Sequence, residues 1–330
     1  MQWAAPISTR PAISPTASSR TPSPGQRWTT LSSPCTCARP SAADTRGRCD
    51  KSIVKLSLSV RVAEKFSDKR QTVMSLDQLA ELAAAEGYHA LCMRASQLGT
   101  HTPLDQVTEA RRQLRDRDLA VSMVTGDFPI PENSAGGPAA LRNITPYLDL
   151  AEALDADLLR VAMKTTDDIE GARRASDEAA ERGVKLAHQC HNSSLFEEVD
   201  RSLEVIEHVG RPNFGLIYEP ANLELCGQDY GAATIEKFAP YIFNVYLQNQ
   251  RLGPEGQSLM STWCRGEVPF EQIPVGVGGI DFPGVLESLA RVGYDGFVTV
   301  HQASAGLGGP AEAAAQSVRY LRSIAKFQDR

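Results

Sequence analysis

A (β/α)₈ barrel is the fold class that this 330-residue sequence predicts, and three observations point to it. From Ile53 onward, short apolar runs of strand type alternate with helical patterns about eight times in under 280 residues. Several of those runs end in a polar or charged side chain at inward parity, where a barrel strand hands over to its loop. No Gly-rich dinucleotide fingerprint follows the first run, which disfavours an open doubly wound sheet, the other way of arranging such units.

The units follow in order. Ile53–Val60 reads as a first strand and Ser75–Ala83 as a helix that Ser75 caps. His89–Arg94 is a second strand with a helix over Leu104–Arg117, and Leu119–Val124 is a third. A Gly-Pro loop around Ser134–Pro138 leads to a helix carrying Leu148, Ala151 and Leu154 at helical spacing. Asp157–Met163 is the fourth strand, followed by a charged helix, Asp167–Arg182. Val184–Gln189 and Phe196–Val209 form the fifth unit, and Asn213–Glu219 with a helix near Ala232–Phe238 the sixth. Ile242–Gln248 is the seventh strand, trailed by a long polar loop, Asn249–Val277. A segment of that length is expected to fold over the barrel mouth. Phe282–Val292 is a helix, Gly296–His301 the eighth strand and Glu312–Lys326 the closing helix.

Residues 1–51 stand apart from the barrel domain, residues 52–330. They are dominated by Ser, Pro, Thr, Ala and Arg without hydrophobic periodicity, so they are expected to be a disordered tail. Their Arg-rich, acid-poor composition is shared with organellar transit peptides, whose amphipathic pattern they lack; a misplaced start codon is the plainer alternative.

Composition narrows the function. With 42% hydrophobic and 22% charged residues the chain can bury a sizeable core. The formal charge is −6, but the first fifty residues carry six arginines against Asp44 and Asp50, so the remainder holds about −10. An acidic barrel excludes an electrostatic nucleic-acid surface. No apolar run approaches membrane-spanning length. The seven cysteines lack paired metal-ligand spacing, and that usage suits a reducing, cytoplasmic compartment.

The run Leu216-Ile217-Tyr218-Glu219-Pro220 holds the most informative strand end. A carboxylate at inward parity in an apolar barrel is costly unless a cation or hydrogen bonds compensate it, so Glu219 asks for a chemical explanation beyond that of a loop-entry residue. Inward parity also selects Arg94, Arg160, Lys164, Gln189, His191, Tyr246, Gln248 and His301. The cations among them suit a carboxylate, a phosphate or an enediolate oxygen, or else close salt bridges at the rim.

The chain from Ile53 to about Phe327 resembles the xylose isomerase-like TIM-barrel superfamily. It is most similar to the sugar phosphate isomerase/epimerase group with D-tagatose 3-epimerase, hydroxypyruvate isomerase and inosose dehydratase. Three segments carry the resemblance: Asn213–Asn222, Gly278-Gly279-Ile280-Asp281-Phe282, and Gly293-Tyr294-Asp295-Gly296 running into the strand to His301. The strand Tyr241–Asn249 resembles the one where the group usually carries a His. The group binds one divalent metal through Glu, Asp, His and Glu at four strand ends. By motif position those ligands become Gln189, Glu219, Tyr246 and His301 here, with Gln248 on the face of Tyr246. The resemblance thus implies a metal set of Gln189, Glu219, Gln248 and His301, with a weakly bound Mg, Mn or Zn ion or none. Asn222 stands where many epimerases carry a second His.

The expected function is that of an isomerase or epimerase acting on a small keto-sugar, polyol or related hydroxy-carbonyl compound by proton abstraction next to a carbonyl. Glu219 is the expected base and His301 its acid partner. Arg94, Arg160, Lys164, His191, Asn222, Tyr246, Trp263 and Arg265 are the expected substrate-binding residues. A dehydratase or lyase shares the first step, and a non-catalytic sugar-binding barrel is the reading from another class. An abasic-site endonuclease of the same superfamily is disfavoured by six His in all and an acidic barrel. Members of the group often form dimers or tetramers, so the resemblance implies a homo-oligomer.

Overall fold

The structure, a computed structural model, describes residues 54–65, 68–256, 258–304 and 307–330. The expected tail, residues 1–51, lies outside them. Eight parallel strands close into a barrel: β1 (Lys55–Ser59), β2 (Ala90–Arg94), β3 (Ala120–Thr125), β4 (Leu158–Val161), β5 (Lys185–Gln189), β6 (Phe214–Tyr218), β7 (Ile242–Leu247) and β11 (Phe297–Val300). Each pairs with its neighbours in chain order, and β1 closes the ring by pairing Leu58 with Val300 of β11.

Around it run α1 (Leu76–Ala85), α2 (Leu104–Arg115), α3 (Thr145–Ala153), α4 (Asp168–Glu181), α5 (Val199–Val209), α6 (Pro220–Leu225), α7 (Ala232–Phe238), α8 (Phe282–Arg291) and α9 (Pro310–Ile324). Among the described residues no helix is long and apolar enough to cross a membrane.

Local chemistry explains where the elements start and stop. Ser75 and Gln78 form a reciprocal capping box at the start of α1. Asp281 caps α8 by accepting the Gly284 N–H at 3.1 Å, with Pro283 in the first turn. Strand β4 stops at Val161 because the Asp168 carboxylate then accepts the N–H groups of Lys164 and Thr165, at 2.7 and 2.9 Å, bending the chain into α4. Gly215 lets β6 pass close to the next unit, since a Cβ there would lie 2.4 Å from the Tyr241 carbonyl oxygen.

Two elements differ from the sequence reading. Pro220–Leu225, left without an element, forms α6, for Pro220 suits a first helical turn. Asn249–Val277, read as a polar loop, contains an antiparallel sheet of β8 (Gln250–Leu252), β9 (Ser258–Thr262) and β10 (Gly266–Gln272), in the order β8-β10-β9. Alternating exposed and half-buried residues in β9 give little hydrophobic signal, which is why the pattern was silent.

The barrel interior is layered. At the bottom, Ser57 meets Ser122 at 2.7 Å and Thr299 donates to Asn244 at 2.9 Å. Above them a small apolar plug of Cys92, Met123, Leu158, Ala187, Ile217 and Tyr246 fills the ring. Two residues further along their strands the side chains turn polar, and that upper layer is where the chemistry gathers.

Candidate active site

The upper layer holds Ser59, Arg94, Thr125, Arg160, Gln189, Glu219 and His301, each placed by the period-two alternation above the plug. All are buried: Glu219 is 0% exposed, Arg160 1%, Gln189 2% and His301 4%. Gln189 and Asn222 both donate to Oε2 of Glu219, Asn222 at 2.9 Å, and Asn222 also reaches the Cys190 carbonyl at 2.9 Å. Oε1 of Glu219 has no hydrogen-bond partner among the described residues. Burial raises the Glu219 pKa to about 7, against the lowering pull of the Gln189 hydrogen bond and the Arg160, Arg61 and Arg94 guanidiniums.

His301 lies flat on Tyr246, ring centroids 3.9 Å apart, with Nδ1 3.1 Å from the Ser59 hydroxyl. Burial, then the charges of Arg94, Arg61, Arg160 and Lys69, hold its pKa well below the ordinary histidine value. That direction favours a neutral imidazole, whose resources are hydrogen bonding and shape, over the acid partner titrating near neutrality expected from the sequence. Tyr246 belongs to the layer below, its hydroxyl 3.2 Å from the Cys92 sulfur.

The cations divide into used and unused. Arg94 is spent on Glu64, Nε and Nη2 donating at 2.8 and 3.2 Å, and Ser96 adds a bond to the same carboxylate at 2.7 Å. Arg61 approaches that carboxylate to 3.6 Å. The expected substrate contact Arg94 is thus chiefly the partner of a buried acid. Arg160 has no hydrogen-bond or ion-pair partner among the described residues, and burial lowers its pKa to about 10.

Arg61, Glu64 and Lys69 are contributors that strand parity missed, because they follow β1 in a 3₁₀ turn and loop where no period applies. The one available signal was the Arg61, Glu64 spacing, which fits a helical-turn ion pair.

The remaining expected residues sit at the rim. Lys164 donates to the Ser193 carbonyl, lies 5.9 Å from the Trp263 ring centroid, and has its pKa lowered to about 8 by burial. His191 Nδ1 lies 2.9 Å from Asn133 Nδ2 and 2.8 Å from the Asn192 carbonyl. Gln248 is half-buried one step beyond β7.

Trp263 is 49% exposed and Arg265 is exposed with Nη1 on the Leu225 carbonyl at 3.1 Å, so neither side chain enters the upper layer. What this turn contributes is backbone. Glu197, unforeseen in the sequence, is buried and accepts the N–H groups of Ser193, Trp263 and Cys264, the latter two at 2.8 to 3.0 Å. Asn192 donates to the Ser261 carbonyl at 2.8 Å. The β9–β10 hairpin is thereby tied to the loop after β5 and to the end of α6, at the carboxyl-end rim. A cleft of about 890 Å³ lined by Lys55, His89, Arg111, Asp118 and Arg330 lies at the opposite, amino-terminal end of the strands, where barrels of this type carry no chemistry.

The family model of the xylose isomerase-like TIM barrel matches residues 79–324. The chain belongs to that family. By sequence it is similar to the inosose dehydratase of Geobacillus thermodenitrificans, 28% identical over 161 residues, covering 47% of this chain and 52% of that protein. The match therefore spans about half the length of that relative. Among solved structures, a D-allulose 3-epimerase from Methylomonas sp. superposes with a TM-score of 0.60 at 14% identity, covering 83% of this chain and 99% of that one. A xylose isomerase-like TIM-barrel protein from Mycobacterium smegmatis, in complex with magnesium, gives 0.59 at 15%, covering 82% and 96%. At these identities the structural likeness concerns the fold.

Whether the residues present fit such an ion is a question of donor chemistry. Of the expected set Gln189, Glu219, Gln248 and His301, Glu219 alone is charged, and guanidiniums surround it. His301 is bonded to Ser59 through Nδ1 and stacked on Tyr246, and the Tyr246 hydroxyl faces Cys92. A divalent ion, which favours several anionic oxygens, is poorly matched here.

Proposed function

We propose that the protein is an isomerase that enolises a small keto-sugar, polyol-derived ketone or related hydroxy-carbonyl compound, with Glu219 as the base. The observation that supports this best is the state of the Glu219 carboxylate. One oxygen is fixed by two amide donors, while the other is buried at the carboxyl end of a barrel strand and unpartnered among the described residues. Such an oxygen is oriented and stripped of water, and burial poises it near neutrality, as a base abstracting a carbon-bound proton requires.

In this reading Glu219 takes the proton from the carbon beside the carbonyl, and the electron pair moves onto the carbonyl oxygen as an enediolate. Glu219 then returns the proton to the former carbonyl carbon while the proton of the adjacent hydroxyl passes to the enediolate oxygen, so the carbonyl moves one carbon along. A single carboxylate delivers and removes protons on one face, which favours isomerisation through a cis-enediol over an inverting epimerisation that needs groups on both faces. Of the other buried carboxylates at this end, Glu64 is occupied by Arg94, Ser96 and Arg61, Glu197 by the N–H groups of Ser193, Trp263 and Cys264, and Asp168 by those of Lys164 and Thr165. Gln189 and Asn222 hold the base, and neutral His301 offers a ring nitrogen to a substrate oxygen.

The likeness to an inosose dehydratase favours a second reading, in which the same enediolate expels a β-hydroxyl as water. One experiment separates them. Incubating the protein in D₂O with a panel of aldoses, ketoses and inososes, followed by proton NMR, is expected to show loss of the signal next to the carbonyl with at least one compound. Glu219→Gln is expected to abolish it. An enone absorbance marks dehydration, and a panel that never exchanges sinks both readings.

A further inference from the structure

We propose that this barrel stabilises its substrate's oxyanion without the divalent ion its fold family uses, and that Arg160 occupies the ion's role as the cation facing an enediolate or carboxylate. The inference rests on the enolisation reading for its chemistry, but its binding site is argued from the charge and bonding of the upper layer.

The first observation is the inventory of unpartnered atoms in that layer. Among the described residues, Arg160 Nε, Arg94 Nη1 and the Thr125 hydroxyl are buried donors without partners, and Glu219 Oε1 and Gln189 Oε1 are buried acceptors without partners. A metal ion engages lone pairs alone and would leave the two guanidinium donors, Arg160 Nε and Arg94 Nη1, unanswered. A polyoxygenated organic anion engages both kinds at once. Its oxyanion takes the guanidinium and hydroxyl donors, a remaining hydroxyl donates to Gln189, and Glu219 Oε1 is left to face the carbon-bound proton.

Charge points the same way. Arg61, Arg94 and Arg160 all act on Glu219, and with Lys69 they act on His301. Glu64 answers Arg94 and Arg61, whereas Arg160 is answered by no ion pair among the described residues. A dication placed beside Glu219 would meet these positive charges, while a substrate anion there is attracted by every one of them. During enolisation the carbon-bound proton passes to Glu219 and the electron pair to the substrate oxygen. Arg160 stays protonated throughout, so the oxyanion forms against a fixed charge.

The test uses the full chain dialysed against EDTA, with oxalate as a planar mimic of an enediolate, calorimetry for oxalate binding and electron paramagnetic resonance of Mn²⁺ for metal binding. The unmodified protein is expected to bind oxalate in the presence of EDTA and to leave the free Mn²⁺ signal unchanged. Arg160→Gln is expected to weaken oxalate binding roughly tenfold or more, and Arg160→Lys by less, since the charge remains but the fork is lost.

Folding of both variants is checked by circular dichroism, and if Arg160→Gln fails to fold, the Mn²⁺ titration of the unmodified protein still decides. Oxalate binding that appears after Mn²⁺ is added, or that survives Arg160→Gln unchanged, overturns the proposal. Deuterium exchange read on the same EDTA-treated protein separates the two readings. Exchange that needs Mn²⁺ overturns the metal-free role and keeps enolisation. Oxalate binding through Arg160 without exchange of any substrate keeps the anion site and overturns enolisation.

Discussion

Glu219 is a residue whose burial has consequences in two directions. Its pKa is raised to about 7 from an ordinary value near 4.5, so between those pH values the folded protein holds a proton that the unfolded chain has released. Stability therefore falls as pH rises through that window, and above it the buried charge is a standing cost of at most about 3 kcal/mol. Glu219→Gln is expected to raise the melting temperature at pH 8, with the gain shrinking to nothing near pH 4, as thermal unfolding across pH would show. Activity should run the other way: the base must be ionised, so kcat/KM is expected to fall about tenfold per pH unit below roughly 7. Glu64 is the contrasting case, a carboxylate whose burial raises its pKa but which Arg94, Arg61 and Ser96 together hold below the ordinary value. Glu64→Gln leaves the Arg94 cation buried without its partner. It is expected to cost about 3–5 kcal/mol in urea unfolding, far more than an exposed pair would.

At the scale of elements, one acid fastens the turn of the β9–β10 hairpin, beside the contacts of Asn192 with Ser261 and Arg265 with Leu225. Glu197 gathers three backbone N–H groups, so removing its carboxylate releases the turn without touching the barrel strands. Glu197→Ala is expected to speed amide exchange at Ser193, Trp263 and Cys264 while strand amides in β4 to β6 stay protected. Uniform protection in the variant would mean the hairpin is seated by other contacts. Capping is separable in the same manner: Ser75→Ala breaks the box that starts α1 and should cost about 1 kcal/mol.

Considered as a whole molecule, the site depends on closure. Ser59 on β1 and His301 after β11 meet at 3.1 Å because the first and last strands pair, so both chain halves contribute to one layer. A chain ending at Arg291 lacks β11 and leaves β1 and β7 with open edges. It is expected to lose cooperative melting altogether; a truncated chain that melts cooperatively near the temperature of the full chain would show that closure is dispensable.

The sequence by itself determined the eight units, their order and the inward parity of Arg160, Gln189, Glu219 and His301, because strand periodicity is a local property that burial on two faces enforces. It also carried the family resemblance, and the structure shows what two of those motifs do. Asp281 caps α8, and Tyr294 donates to the Phe297 carbonyl at 2.8 Å, so they are punctuation between elements and not chemistry. Tertiary structure alone decided which charges are spent. Glu64 neutralising Arg94, His301 held neutral among cations and Glu197 fastening the hairpin all join residues 30 to 242 positions apart or respond to burial. Neither distance nor desolvation is written in a local pattern, so Arg94 and Arg160 read alike in the sequence and differ in the fold.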